Sequence, residues 1–301
     1  MKGSATMRIS INEDYFRNRP SGTRRSQKES LKLLKESGFD TADFGMFHLV
    51  SEGERFGREK WINEHREYCD QIGIKINQTH LPFYEGIPMP DGFVKRLLQC
   101  VDDSAVLGAD CIVIHPDTWY KENYVQWDFN EVLTTVYDVL APVVDRAEKV
   151  GIKVALELMF EHIGSLYHRV RFCSNIEEID AIVGKFNCDT VGVCWDFGHA
   201  AMAYKQDQFK YMKKMNSKII ATHVHDNIYK YDNHNLPYQG AINWDEGLRT
   251  LAEVGYQGDL TLEIGYGGMP DELVRDCLLF SRKVGEHMVA QFEKFIKKDN
   301  K

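Results

Sequence analysis

Eight residues at the ends of short β-branched runs carry side chains that bind metals or move protons: His80 in "NQTH", His115 in "IVIH", Glu157 in "VALE", Asp196 and His199 in "CWDFGH", His223 and His225 in "THVH", and Glu263 in "TLEI". Five of the chain's 11 histidines fall in this set, more than scatter over loops would supply. Three carboxylates gathered in one place repel one another, and each is costly to desolvate without a compensating cation. A divalent ion is the economical cation, and carboxylate oxygens with imidazole nitrogens suit Zn²⁺, Mn²⁺, Co²⁺ or, less readily with histidine, Mg²⁺.

Something must bring these strand ends together. A recurring phrase runs along the chain: an amphipathic helix closes on a glycine, and a short strand follows, as in "LLKESGFDTADFG", "YCDQIGIKINQTH" and "RAEKVGIKVALELM". Gly38, Gly73 and Gly108 recur every 35 residues, the length of one α/β unit. Ser26 with Glu29, Asn175 with Glu178 and Asn243 with Glu246 have the spacing of helix N-caps. Eight strands are expected near 8–11, 42–46, 74–80, 111–115, 153–158, 191–196, 219–225 and 260–264. Without a linker between halves, this alternation predicts an α/β fold, a single-domain (β/α)₈ TIM barrel over 7–301, with residues 1–6 expected to be a disordered tail. An open doubly wound sheet would be the competitor, but no GxGxxG or Walker loop follows the first strand.

Side-chain parity supports closure. Glu157 shares a face with Ala155, Asp196 with Cys194 and Gly192, and Glu263 with Thr261, while their neighbours are aliphatic. The strand ending at His80 breaks the pattern, because Ile74 and Ile76 share its parity.

The net charge of −8 argues against a surface built for nucleic acid. Seven cysteines without a CxxC pair point to a reduced, cytoplasmic protein, and no apolar run reaches the ~20 residues of a membrane span.

The order "LELM", "CWDFGH", "HVHDN", "DNHNLPYQGAINW" and "LEIGY" resembles the xylose isomerase-like TIM barrels, a superfamily of sugar-phosphate isomerases and epimerases that also includes, more distantly, endonuclease IV of AP endonuclease family 2. The resemblance covers nearly the whole chain. It implies that Glu157, Asp196, His223 and Glu263 hold one divalent metal; His223 is chosen over His225 because it opens an H-x-x-acid stretch ending at Asp226. It also implies that Glu157, Glu263 and His199 are catalytic, passing a proton through a cis-enediolate of a small sugar or sugar phosphate. His80, His115, His225 and Trp119 are expected to line the substrate pocket, with Phe83 and Tyr84 as aromatic walls. His48, His65, His162, His168 and His287 are read as structural.

Two other readings stand beside this one. An endonuclease IV-like phosphodiesterase would place extra metal at His80, His115, His199, Asp232 and His234, all present here. Against it, "LMFEHIG" follows the fifth strand where that family has Asn-Thr-Ala-Gly-Gln-Gly, and "WDFGH" departs from its Asp-Thr-Cys-His form. The third reading is a catalytically silent carbohydrate-binding barrel. The arginine that ketose 3-epimerases carry after the seventh strand is absent, the stretch here being "NIYKY", so substrate recognition must differ. Arg17, Arg19, Arg24 and Arg25 in the first loop are read as solvated, with reach to an anionic group as the alternative. A homo-oligomer is left open.

Overall fold

A computed structural model describes residues 7–48, 57–83, 89–116, 128–161 and 171–299. Eight strands alternate with helices: β1 (Ile9–Ile11), α1 (Gln27–Glu36), β2 (Thr41–Gly45), α2 (Arg58–Ile72), β3 (Lys75–His80), α3 (Phe93–Leu107), β4 (Cys111–Ile114), α4 (Phe129–Val150), β5 (Lys153–Glu157), α5 (Ile176–Phe186), β6 (Val191–Asp196), α6 (Phe197–Tyr204), α7 (Gln208–Met215), β7 (Ile219–His223), α8 (Trp244–Glu253), β8 (Leu260–Leu262) and α9 (Asp271–Asp299). The expected tail, residues 1–6, lies outside the described residues.

All strand pairs are parallel and β2 to β7 follow one another in chain order. β1 pairs with β8, single parallel bridges join Asn12 to Asp43 and Val224 to Leu262, and the ring is thereby closed. The fold is an (β/α)₈ barrel in one domain, as the alternation predicted. The capping expectations hold locally. Ser26 forms a full capping box with Glu29, and Asn175 and Asn243 accept from the backbone N–H groups of Glu178 and Glu246.

The parity conflict at β3 has a physical cause. The β2–β3 register slips between Ala42 and Asp43, so β3 spends one extra residue there. Asn77 and Gln78 therefore both reach inward: the Asn77 amide donates to Thr261 Oγ1 at 3.1 Å, and Gln78 Nε2 donates to Asp43 Oδ2 at 3.2 Å. Ile76 stays in the outer core, while His80 turns to the barrel mouth.

The barrel interior divides into two halves. Around β8, β1, β2 and β3 it is a buried network in which Ser10 donates to Asn77 at 2.5 Å and Asn12 donates to Asp43 at 3.2 Å. Across β4 to β7 it is filled by Cys111, Val113, Ala155, Cys194 and Ala221. A second register slip, between Val193 and Cys194, lets β7 present His223 opposite Asp196.

The expectation of solvated arginines in the first loop is corrected for Arg17 and Arg25, whereas Arg24 is exposed as expected and Arg19 is half-buried. Arg17 and Arg25 are 2% and 8% exposed. Arg17 donates through Nε to the Arg25 carbonyl, and Arg25 donates to the Phe16 carbonyl and to Asp271 at 2.7 Å. Arg19 and Arg24 pair with Asp271 and Asp14. These guanidinium groups tie the β1–α1 loop to itself and to α9, adding to the antiparallel bridge between Asn18 and Arg24.

Candidate metal centre and active site

At the C-terminal rim, the ends of β5, β6, β7 and β8 bring Glu157, Asp196, His223 and Glu263 together, each offering one donor atom within 4.8 Å of the others. His223 Nδ1 lies 3.2 Å from Glu263 Oε2, 3.4 Å from Glu157 Oε2 and 3.7 Å from Asp196 Oδ2. Its other nitrogen faces Asp43 Oδ2 at 3.8 Å, so an acid stands behind the ring as acids stand behind metal-binding imidazoles. His225 lies one layer aside: its Nε2 is 3.0 Å from Asp196 Oδ1 and 3.7 Å from Asp232 Oδ1. β7 and β8 end at His223 and Leu262, so His225 and Glu263 lie just past them rather than inside the expected strands.

The "WDFGH" spacing has a local reason. Asp196 ends β6 and is also the N-cap of α6, accepting the His199 N–H at 2.7 Å, so an acid and an imidazole three residues apart meet on one side of the cap. Gly198 is required between them, since a Cβ there would sit 1.9 Å from the His225 ring.

Three imidazoles are aimed in one way. His80, His199 and His234 each point Nδ1 at a backbone carbonyl, those of Leu81, Leu158 and Glu263, at 3.1, 2.9 and 2.8 Å. A carbonyl bonded at Nδ1–H fixes the orientation of the ring, and Nε2 is then the nitrogen that donates when the imidazole is charged. The Nε2 atoms face Glu157 Oε2 at 3.3 Å, Asp232 Oδ2 at 3.4 Å and Asp232 Oδ2 at 3.0 Å respectively.

The electrostatics are those of opposed charges out of water. Burial would raise Glu157, but the His115 and His223 imidazoles outweigh it and hold the carboxyl well below the usual carboxylate range. Burial also opposes ionisation of Asp196 and Asp232, and neighbouring histidines again reverse it. His199 and His223 are raised despite burial, and His234 is raised to about 9 by its bond to Asp232 and the charge of Glu263.

The donor set fits a divalent cation. Nitrogens of His115, His80 and His223 approach Glu157 Oε2 at 3.1, 3.3 and 3.4 Å, yet that oxygen has no aligned hydrogen bond, and neither has either nitrogen of His223. Buried polar atoms in that condition call for a partner of another kind. Three further donor groups share members with the four-donor set: His80, Glu157 and His223; Asp196, His199 and His225; and His225, His234 and Glu263.

A cavity of about 430 Å³ opens over these groups. His80, His115, Glu157, His199 and Glu263 line its floor, together with Asp232 and His234. Asp196, His223 and His225 lie beneath and are fully buried. Phe83 stacks on His115 with ring centroids 4.5 Å apart and forms one wall. Tyr84 and Trp119 fall outside the described residues. Tyr15, Phe47 and Phe160 also wall the cavity and were not expected from the sequence, although each follows a strand end by two to four residues and the rule that found the histidines would have found them. Arg171 lines it too, and no strand-end signal announces it.

Of the histidines read as structural, His65 is buried with Nδ1 at 2.8 Å from the Trp61 carbonyl, and His287 packs on Tyr238. His162 and His168, and the side chain of His48, lie outside the described residues. Asp226 does not face the donor cluster but holds the β7–α8 loop, accepting from the N–H groups of Asn227, Tyr238 and Ile242 and from the Trp244 indole. Gly240 makes room for it, since a Cβ there would lie 2.2 Å from Asp226 Oδ1.

A family model described as xylose isomerase-like TIM barrel matches residues 31–284. A relative in Methanocaldococcus jannaschii, the uncharacterized protein MJ1311, is 27% identical over 285 residues, 91% of this chain and 89% of that one. Among solved structures, a D-tagatose 3-epimerase-like protein superposes with a TM-score of 0.73 at 21% identity, covering 98% of this chain and 100% of the other. The IOLI protein with a bound zinc atom gives 0.73 at 20% identity, covering 95% and 99%. Among the described residues, no helix is long and apolar enough to cross a membrane.

Proposed function

Because the chain belongs to the xylose isomerase-like TIM barrel family, we propose that it is a divalent-metal-dependent isomerase or epimerase of a sugar or sugar phosphate. One observation carries this reading: Glu157 and Glu263 both belong to the four-donor cluster and both line the cavity, so two carboxylates flank the space where a substrate carbon would sit. The zinc bound in the IOLI protein and the likeness to a D-tagatose 3-epimerase-like protein point the same way.

When bound, a divalent ion held by Glu157, Asp196, His223 and Glu263 would polarise a substrate carbonyl and its adjacent hydroxyl. The chain's own groups supply the rest. Glu157, ionised by its imidazole neighbours, accepts the proton from the carbon beside the carbonyl, giving a cis-enediolate. Glu263, entering the step as the acid, gives its proton to the neighbouring carbon or to the opposite face, and the two carboxyls regain their starting forms by proton exchange with solvent. His199, fixed through Leu158, presents Nε2 to a substrate oxygen. Tyr15, Phe47, Phe83 and Phe160 give apolar faces for the C–H side of a sugar and limit water around the intermediate.

Ketoses and sugar phosphates screened in deuterated water should include one that gains carbon-bound deuterium with the native protein, and Glu157→Gln should reduce the exchange by ~10²–10⁴-fold. Exchange retained in that variant would sink the assignment.

The Asp232–His199–His234 group favours a second reading, a multi-metal phosphodiester hydrolase, because it sits beside the four-donor set and shares the cavity with it. Metal analysis separates the two: one ion per chain supports the isomerase, three ions with phosphodiesterase activity support the hydrolase.

A further inference from the structure

A second cleft, of about 340 Å³, adjoins the cavity over Glu157 and Glu263, and Asp14 and Tyr15 line both. The two lie side by side along the loops that follow β1 and β8: Asn12 and Glu263 face the first, Asn18 and Gly265 the second. A ligand held over the donor cluster therefore has room to extend past Tyr15. The second cleft is built from two fixed rings and bare main chain. Tyr15 places its hydroxyl 3.1 Å from His234 ring nitrogens and Tyr266 places its own 2.8 Å from Ser281 Oγ, so both hydroxyls are engaged elsewhere and the rings are left to offer apolar surface. Gly265 makes room for the first ring, since a Cβ there would press on Tyr15 Cδ1 at 3.0 Å. Along the opposite wall a Cβ at Gly267 or Gly268 would meet no atom within 4 Å, so these glycines leave the backbone open to close approach by a ligand.

Charge decides which kind of ligand the cleft suits. Arg19, in its wall, pairs with Asp271 at 3.0 Å and Glu29 at 3.5 Å, and Arg24 pairs with Asp14 at 3.1 Å. An anion would have to compete with these carboxylates for the guanidinium groups, and would do so beside Asp14 itself. A neutral group rich in hydroxyls meets no such opposition. The Asp14 carboxylate accepts from hydroxyls, the Asn18 amide donates and accepts, and the two tyrosine rings cover the C–H face of a sugar. We infer that this cleft binds a second sugar ring, joined by a glycosidic bond to the unit that reacts at Glu157 and Glu263, so that the substrate is a disaccharide. The inference deepens the sugar isomerase reading and rests on it for its choice of ligands.

The test is calorimetric binding to the metal-loaded full chain of ligands that carry no carbonyl and cannot react: glucitol, glucitol 6-phosphate, and the disaccharide alditols maltitol, isomaltitol and lactitol, each a second hexose on glucitol. Because none of them reacts, failure here is distinct from failure to find the deuterium exchange of the isomerase reading. At least one disaccharide alditol should bind ~10–100-fold tighter than glucitol, the gain expected of about two hydrogen bonds and a covered ring face. Gly267→Leu, which puts a side chain where the cleft is now open, should cancel that gain while changing glucitol affinity by less than ~2-fold. Asn18→Ala, at an exposed position that the fold does not depend on, should remove part of it. Four results would each overturn the inference: no gain for any of the disaccharide alditols, a gain intact in Gly267→Leu, glucitol weakened as much as the disaccharide alditol, or a gain for glucitol 6-phosphate that Gly267→Leu cancels, which would make the cleft an anion site.

Discussion

Donors carried by strands and donors carried by the β7–α8 loop meet in one cavity but are held there by different means. Asp196 and His223 are direct partners in the β6–β7 ladder, Glu157 stands opposite Cys194 in the β5–β6 ladder, and Glu263 donates its N–H to Val224 at 3.1 Å. Their backbones are fixed by the barrel itself. Asp232 and His234 lie on a loop closed by paired bonds between Asp226 and Asn235 and by the four donors that converge on the Asp226 carboxylate. Bonds from Gly265 N–H to the His234 carbonyl and between His234 and the Glu263 carbonyl dock that loop on the end of β8. The four-donor set should therefore tolerate damage elsewhere, whereas the loop set relies heavily on the buried Asp226 carboxylate.

The largest effect is expected at the strands. His223→Ala removes the one ring that reaches Glu157, Asp196 and Glu263 together, and should weaken binding of the tightest metal by at least ~100-fold, measured by competition with a chelator. A loss smaller than ~10-fold would break the distinction.

Asp226→Asn comes next. It leaves one or more of four buried donors without an acceptor and should cost about 2–4 kcal/mol in denaturant unfolding. The strand-borne metal should remain. Loss of both the loop and that metal would show that the two sets are one unit.

Asp232→Asn should leave the fold and the tightest metal unchanged and lower turnover by less than ~10-fold in the isomerase reading. Elimination of turnover, or loss of a second and third ion in elemental analysis, would move the chemistry to the loop.

The smallest effect is a pH dependence of the metal-free protein. Imidazoles raised in the folded state contribute stability that is complete below the unfolded value near ~6.5 and is lost as pH rises through the folded value, about 9 for His234. Carboxylates lowered in the folded state, Glu157, Asp196 and Asp232, contribute stability present above ~4 and lost as pH falls. With a chelator present, Tm should therefore fall by ~2–6 °C between pH 6.5 and 9. Metal-loaded protein should show a smaller fall, since His223 is then held as a neutral ligand while His199 and His234 still titrate. A parallel fall in both forms would place the titration away from the donor cluster.

Much of the rim was legible because strand parity is a local rule. Ala155 and Glu157, Cys194 and Asp196, and Thr261 and Glu263 alternate inward in the sequence and in the barrel alike. The rule fails at β3, where one inserted residue lets Asn77 and Gln78 share a face and restores His80 to the mouth. Nothing in "IKINQTH" announces that slip, because it is set by pairing with β2. Arg17 and Arg25 were misplaced for a related reason. Charge is local, but the carbonyls of Phe16 and Arg25 and the acid of Asp271 that bury it are not.

The sequence by itself determined the order of strands and helices, the capped turn at Asp196 and the face on which Glu157, Asp196 and Glu263 project, since periodicity and capping act within a few residues. Tertiary structure decided the rest. It closed β1 onto β8, set His223 rather than His225 in the four-donor group, made Asp226 the anchor of the β7–α8 loop, and carried Arg171 over Phe160 into the cavity wall. Those outcomes join residues up to 251 positions apart, as between Ile9 and Leu260, and no local pattern encodes the distance between them.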